Sequence, residues 1–253
     1  MTNANPFAQR STLEYELPPF AQIKEEHYLP AFYEACAAQL AEVQAILDAP
    51  GGATFENTIV ALEKSGQYLG RVLRVFYNKS SSDTNDALNA IEEELAPKFA
   101  AHQDAISLNP VLFKRIKDLY DARESLGLNT EDAWLLERYY KDLIHKGAHL
   151  TEAQRDRLKE LNEELSSLQT QFSKNVLADT NDLAVLVDSV EELDGLSENQ
   201  IAAAAAAAKD RGHDGKWLIG MVNFTGNPVL DSLTNRPLRK KIMEASLLKA
   251  NRD

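Results

Sequence analysis

From Leu29 onward the apolar residues recur every three or four positions. Leu29, Phe32, Cys36, Leu40, Val43 and Leu47 form one stripe and predict a helix over about 28–48. Pro50-Gly51-Gly52 closes it. Ile59, Leu62, Leu69, Val72, Leu73 and Phe76 predict a second helix, about 57–79, capped by Asn57 or Thr58. Gly66 and Gly70 are its points of kinking or close approach. The polar stretch NKSSSDTND (78–86) reads as a loop. Leu88, Ile91, Leu95, Phe99, His102 and Ile106 make a third stripe, with a histidine on its apolar face. Asn109-Pro110 opens a fourth helix to about Arg123, and Asn129 or Thr130 caps a fifth to about Lys146. Thr151 opens a long sixth. Leu158, Leu161, Leu165, Leu168, Phe172 and Val176 run along it in a near-heptad rhythm that asks for partners along its whole length.

The period changes near residue 182. Asp182-Leu-Ala-Val-Leu-Val-Asp188 is short, apolar and β-branched, and reads as a strand. An alanine-rich helix follows over about 198–210, then a second apolar run, Trp217-Leu-Ile-Gly-Met-Val222. The two runs predict an antiparallel ribbon. Pro228 and Asn235 are expected to start two last helices, the second running to the end of the chain. The predicted class is mostly α, an antiparallel helical array with one small β-ribbon near 182–222. Three stretches are expected: an extended N-terminal arm (1–24) rich in proline, the helical array (25–180), and a part with the ribbon and the final helices (181–253).

Composition narrows the function. At 253 residues, 44% hydrophobic, the chain can bury a substantial core. A net charge of −12 disfavours nucleic acid and anionic lipid as partners. Cys36 is the single cysteine, which excludes an internal disulfide and suits a reducing compartment. On its apolar stripe it reads as a buried thiol. The N-terminus has neither a basic start nor an apolar run, and no apolar stretch is long enough to cross a membrane. The expected location is cytoplasmic, without membrane contact.

The chemistry-bearing stretch is IHKGAHL (144–150), which sets His145 and His149 four apart. A zinc-hydrolase helix would carry glutamate after the first histidine as general base for the metal-bound water. Here that position is Lys146, and Gly147 predicts that the helix stops before His149. His27, His102 and His213 are not followed by glutamate either. Glycine-rich phosphate loops, a G-x-S-x-G elbow and cysteine pairs are all missing from the sequence. Residue chemistry alone reads as a soluble helical domain with no catalytic and no metal-binding residue.

The succession of segments says more. ELPPFAQIKEEHYLPAF (16–32), FENTIVALEKSG (55–66), LIHKGAHL (143–150) and LKELNEELSSLQTQFSKNVLADT (158–180) resemble the zinc oligopeptidases related to thimet oligopeptidase. RESLGLNTED (123–132) and GKWLIGMVNFTGNPVLDSL (215–233) look most like the bacterial peptidyl-dipeptidase branch of that family. The family's zinc motif, H-E-F-G-H or a close variant, lies downstream of anything here. The resemblance therefore implies an N-terminal fragment of about a third of such an enzyme. It implies no cofactor in this chain and zinc in the full-length protein. The fragment's implied role is one wall of a channel that admits short peptides, inactive without the catalytic part, which is its expected partner. Self-association through the exposed docking surface is a further expectation. Asn78 and Asn85, in the polar loop, are the candidate substrate-channel residues, against the plainer reading that both are solvent or helix-cap residues. The alternatives are an oligopeptidase A-type endopeptidase fragment, a free-standing helical interaction module, and a metal-binding protein using His145 and His149.

Overall fold

Asparagines cap four of the helices, at Asn85, Asn109, Asn129 and Asn235. In the computed structural model, which describes residues 5–251, the chain divides into two compact units, Met1–Thr170 and Gln171–Asp253. The first unit contains α1 (Tyr28–Leu47), α2 (Ala61–Lys64), α3 (Gln67–Ser82), α4 (Asp86–Ser107), α5 (Pro110–Asp121) and α6 (Thr130–His145). Asn85, Asn109 and Asn129 stand in extended backbone. Their Oδ1 atoms accept from Leu88 N, from Val111 N and Leu112 N, and from Asp132 N, all at 2.9–3.0 Å. These bonds satisfy amides that a helix leaves without partners at its first turn.

The expected second helix over 57–79 is two pieces. It begins earlier, in a wide π-type segment Phe55–Val60, where Thr54 and Asn57 form a reciprocal capping box. It breaks at Ser65, which is extended, and Gly66, which has φ 69°. The freed Gly66 N–H donates to Glu42 Oε2 of α1 at 2.7 Å. That partner lies 24 residues away, so local pattern cannot announce the break.

The expected loop 78–86 is mostly helix. α3 continues through Asn78 to Ser82, and the hydroxyls of Ser81 and Ser82 are satisfied within it by donating to the carbonyls of Tyr77 and Asn78, each at 2.6 Å. At the other end of the unit, the described part of the arm is not simply extended. It holds two 3-10 turns, at Glu14–Glu16 and Phe20–Gln22, and a third at Glu25–His27 follows it directly. Phe7 is buried against Tyr28 (5.4 Å between centroids), which in turn meets Phe76 edge-on at 5.3 Å. Residues 1–4 of the expected arm lie outside the described residues.

Two apolar clusters fill the first unit. One joins Phe7, Tyr28, Phe32, Val72, Phe76, Leu88 and Leu95. The other joins Val43, Ile46, Ile59, Leu112, Ile116 and Leu136. α7 (Glu152–Asp182) starts in this unit and crosses the division. Of its 31 residues only Asp179 is buried. Leu161, Leu165 and Leu168 in the first unit, and Phe172 and Leu177 in the second, are exposed.

The second unit carries β1 (Val185–Val187), α8 (Glu198–Asp210), β2 (Trp217–Ile219), α9 (Asn223–Ser232) and α10 (Arg236–Leu248). The strands pair antiparallel, Val185 with Ile219 and Val187 with Trp217, as the sequence predicts, but each is only three residues long. Val185 and Val187 point into a core with Leu193, Ile219, Leu233, Leu238 and Ile242. Pro228 lies inside α9 and does not start it. α10 is capped by Asn235 as expected, but it ends at Leu248 and does not run to the end of the chain. Ala250 turns left-handed (φ 60°) and donates its N–H to Asp179 Oδ2 at 2.8 Å. Residues 252–253 of that expected helix lie outside the described residues. Among the described residues no helix is long and apolar enough to cross a membrane.

Candidate functional site

A cavity of about 370 Å³ opens in the first unit. α1 contributes Gln39, α3 Leu69 and Leu73, α4 Phe99 and His102, α5 Leu112 and Ile116, and α6 Tyr139 and Leu143. His102 is its buried polar centre, stacked on Phe99 at 6.4 Å. Its Nε2 lies 2.8 Å from Gln39 Oε1, an acceptor, so Nε2 carries the proton. Nδ1 is closed from water and has no partner among the described residues. Burial lowers the ring's pKa below the usual 6.5, which keeps it neutral at pH 7. Gly66 makes the arrangement possible, because a Cβ there would stand 2.3 Å from Gln39 Nε2. No hydroxyl, thiol or carboxylate is hydrogen-bonded to the ring among the described residues. The geometry is that of a lined cleft, not of an acid–base or nucleophile pair.

The two spaced histidines do not form a site. His145 is the last residue of α6. The Gly147 N–H donates to Ile144 O and the Ala148 N–H to Leu143 O, at 3.0 and 2.9 Å, with Gly147 at φ 93°. This is a Schellman termination, and the packing enforces it: a Cβ on Gly147 would stand 2.7 Å from Leu158 Cδ2. His149 thus lies beyond the helix, and both imidazoles are exposed. Among the described residues no group of three or more His, Cys, Asp or Glu could hold a metal ion. The donor set that a zinc peptidase requires is not met by these residues, and no hydrolytic step is assigned to them.

Asn78 and Asn85 are both exposed. Asn78 sits in α3 instead of a loop. Asn85 caps α4 and donates from Nδ2 to Glu25 Oε1 at 3.0 Å. The Cys36 thiol is half-buried, and burial pushes its pKa up to about 11, which keeps it protonated at neutral pH. Sequence reading missed Asp104. It is buried, and both its oxygens accept from Asn162 Nδ2 at 2.9 Å. Burial raises its pKa, opposed by the Asn162 donor and by Lys159 and Lys146. The partner is 58 residues away, so nothing local signals the pair.

No protein-family model matches the chain. Against curated proteins it is 39% identical, over all 253 residues, to the dipeptidyl carboxypeptidase of Escherichia coli K12. The chain is a homologue of the dipeptidyl carboxypeptidases. A second dipeptidyl carboxypeptidase, from Salmonella typhimurium, is 36% identical over 99% of the chain. Oligopeptidase A of Salmonella typhimurium stands further off, at 27% over 94% of the chain. The dipeptidyl carboxypeptidase homology covers this chain from end to end, but the chain spans only 37% of the length of those two relatives. It fits an N-terminal part of a peptidase of the thimet oligopeptidase family.

Proposed function

We propose that this chain is the substrate-channel-forming part of a zinc metallopeptidase that removes dipeptides from the C-terminus of short peptides. The zinc-binding and water-activating residues would come from the rest of the protein, and the chain alone would be inert. The observation that carries the reading is the graded identity, 39% to a dipeptidyl carboxypeptidase against 27% to an oligopeptidase A. The same gradient ranks the oligopeptidase A-type endopeptidase as the second reading. Long helices packed on two apolar clusters can build a rigid rim, and a chain of net charge −12 does not repel neutral or basic peptides. The catalytic part is the proposed partner of the exposed leucines of α7, and without it those surfaces would favour self-association. The proposed location is cytoplasmic.

The test supplies zinc and an N-blocked short peptide with a free C-terminus to the purified chain, alone and mixed with an Escherichia coli dipeptidyl carboxypeptidase lacking its matched region. Mass spectrometry reads the products. The chain alone should release nothing, and the mixture should release C-terminal dipeptides. Zinc-dependent release by the chain alone would overturn its inertness. No gain in the mixture over the truncated relative would overturn the channel role.

A further inference from the structure

A cavity of about 550 Å³ lies between the N-terminal arm and α3. Arg10, Arg71 and Arg74 line it, and Glu16 is the one acid among its lining residues. Glu16 is already paired with Arg10 at 3.7 Å. Neither Arg71 nor Arg74 has an ion-pair partner among the described residues. Arg71 lies over the Tyr68 ring at 5.2 Å. Its Nη2 reaches only the Phe7 carbonyl, at 3.5 Å, and its Nε is buried without a partner. Arg74 folds back along α3 and donates from Nε to Gly70 O at 3.0 Å. Glycine at 70 allows this, because a Cβ would stand 2.8 Å from Arg74 Nη2.

Two guanidinium groups three residues apart on one helix repel each other, and a half-buried cation without a counter-charge is costly. An anion between them relieves both. Guanidinium forks match the two oxygens of a carboxylate. The arm supplies an apolar surface in Pro6, Leu17, Pro18 and Ile23, against which a carbon skeleton can rest. At the same lining, Tyr15 and Glu16 both hold φ 55°, left-handed backbone that non-glycine residues rarely adopt and that recurs at ligand clamps.

We propose that this cavity binds a small organic carboxylate, its oxygens held by Arg71 and Arg74 and its apolar body laid against the arm. The proposal does not depend on the peptidase reading. The test is titration calorimetry of the full 253-residue chain with phenylbutyrate, acetate, phosphate and chloride at constant ionic strength. Phenylbutyrate should bind saturably and more tightly than acetate or phosphate, and chloride should not bind. Affinity should fall at least about tenfold in Arg71→Gln and in Arg74→Gln. Circular dichroism checks folding. Should Arg71→Gln unfold, the exposed Arg74→Gln decides. Absent phenylbutyrate binding, or binding equal in the folded variants, would overturn the proposal. A preference for phosphate would overturn it in favour of an inorganic-anion site.

Discussion

Replacing Gly195 by alanine should be among the most damaging single-methyl changes in the second unit. Gly195 has φ 97°, and a Cβ there would stand 2.1 Å from the Ser232 carbonyl oxygen and 3.1 Å from Thr234 N. The left-handed backbone costs about 1 kcal/mol in any non-glycine residue. The clash is with backbone, so it cannot be relieved by turning a side chain. It pushes apart the Asp194–Thr234 contact, where Thr234 N and Oγ1 donate to Asp194 O at 2.9 Å and to its Oδ2 at 2.6 Å. Overpacking adds roughly 1–3 kcal/mol, for a total of about 2–4 kcal/mol. Gly212 is the control. It has φ 79° but nothing within 4 Å of a built Cβ, so Gly212→Ala should cost only the backbone share, about 1 kcal/mol. Urea unfolding reads both, in a Trp134→Phe background that leaves Trp217 of β2 as the single tryptophan reporter. If the two variants agreed within about 0.5 kcal/mol, the close approach at Gly195 would be refuted.

His102 carries a lowered pKa in the fold, so the unfolded chain takes up its proton first as pH falls. Its contribution is fully present above the unfolded value near 6.5 and is lost as pH falls through the lower folded value. The urea midpoint should therefore drop from about pH 7.5 to about pH 5, and drop less in His102→Gln. Leu165→Glu should change stability by no more than about 0.5 kcal/mol, because the side chain is exposed, while Leu136→Ala, fully buried, should cost about 2–5 kcal/mol. A large loss in Leu165→Glu on urea titration would show that α7 is partnered within the chain. The Cys36 thiol should react with a disulfide reagent at about pH 8 roughly 100-fold more slowly folded than in urea, and equal rates would refute its burial.

Much of this molecule was legible because local chemistry decides it. The asparagine caps at 109, 129 and 235, the glycine stop at 147 and the antiparallel ribbon all follow from short-range rules. What escaped was decided at a distance. The break at Gly66 is sealed by Glu42, Asp104 is held by Asn162, and Arg71 meets an arm whose Phe7 lies 64 residues earlier. The serines after Asn78 look like a loop by composition, yet their hydroxyls bond back to the helix they extend. The stripe on α7 was readable as a stripe, but its exposure was not, since period alone does not say whether a partner is present.

A two-stranded sheet leaves both of its outer edges open to a third strand. Here each strand offers only three residues, and on β1 the carbonyl of Leu186 accepts from Lys241 Nζ of α10, at 3.3 Å. α10 thus does more than complete the core through Leu238 and Ile242. It also sets a charged amine beside β1, and a lysine at a strand edge disfavours pairing with another chain, so one helix serves both packing and edge protection.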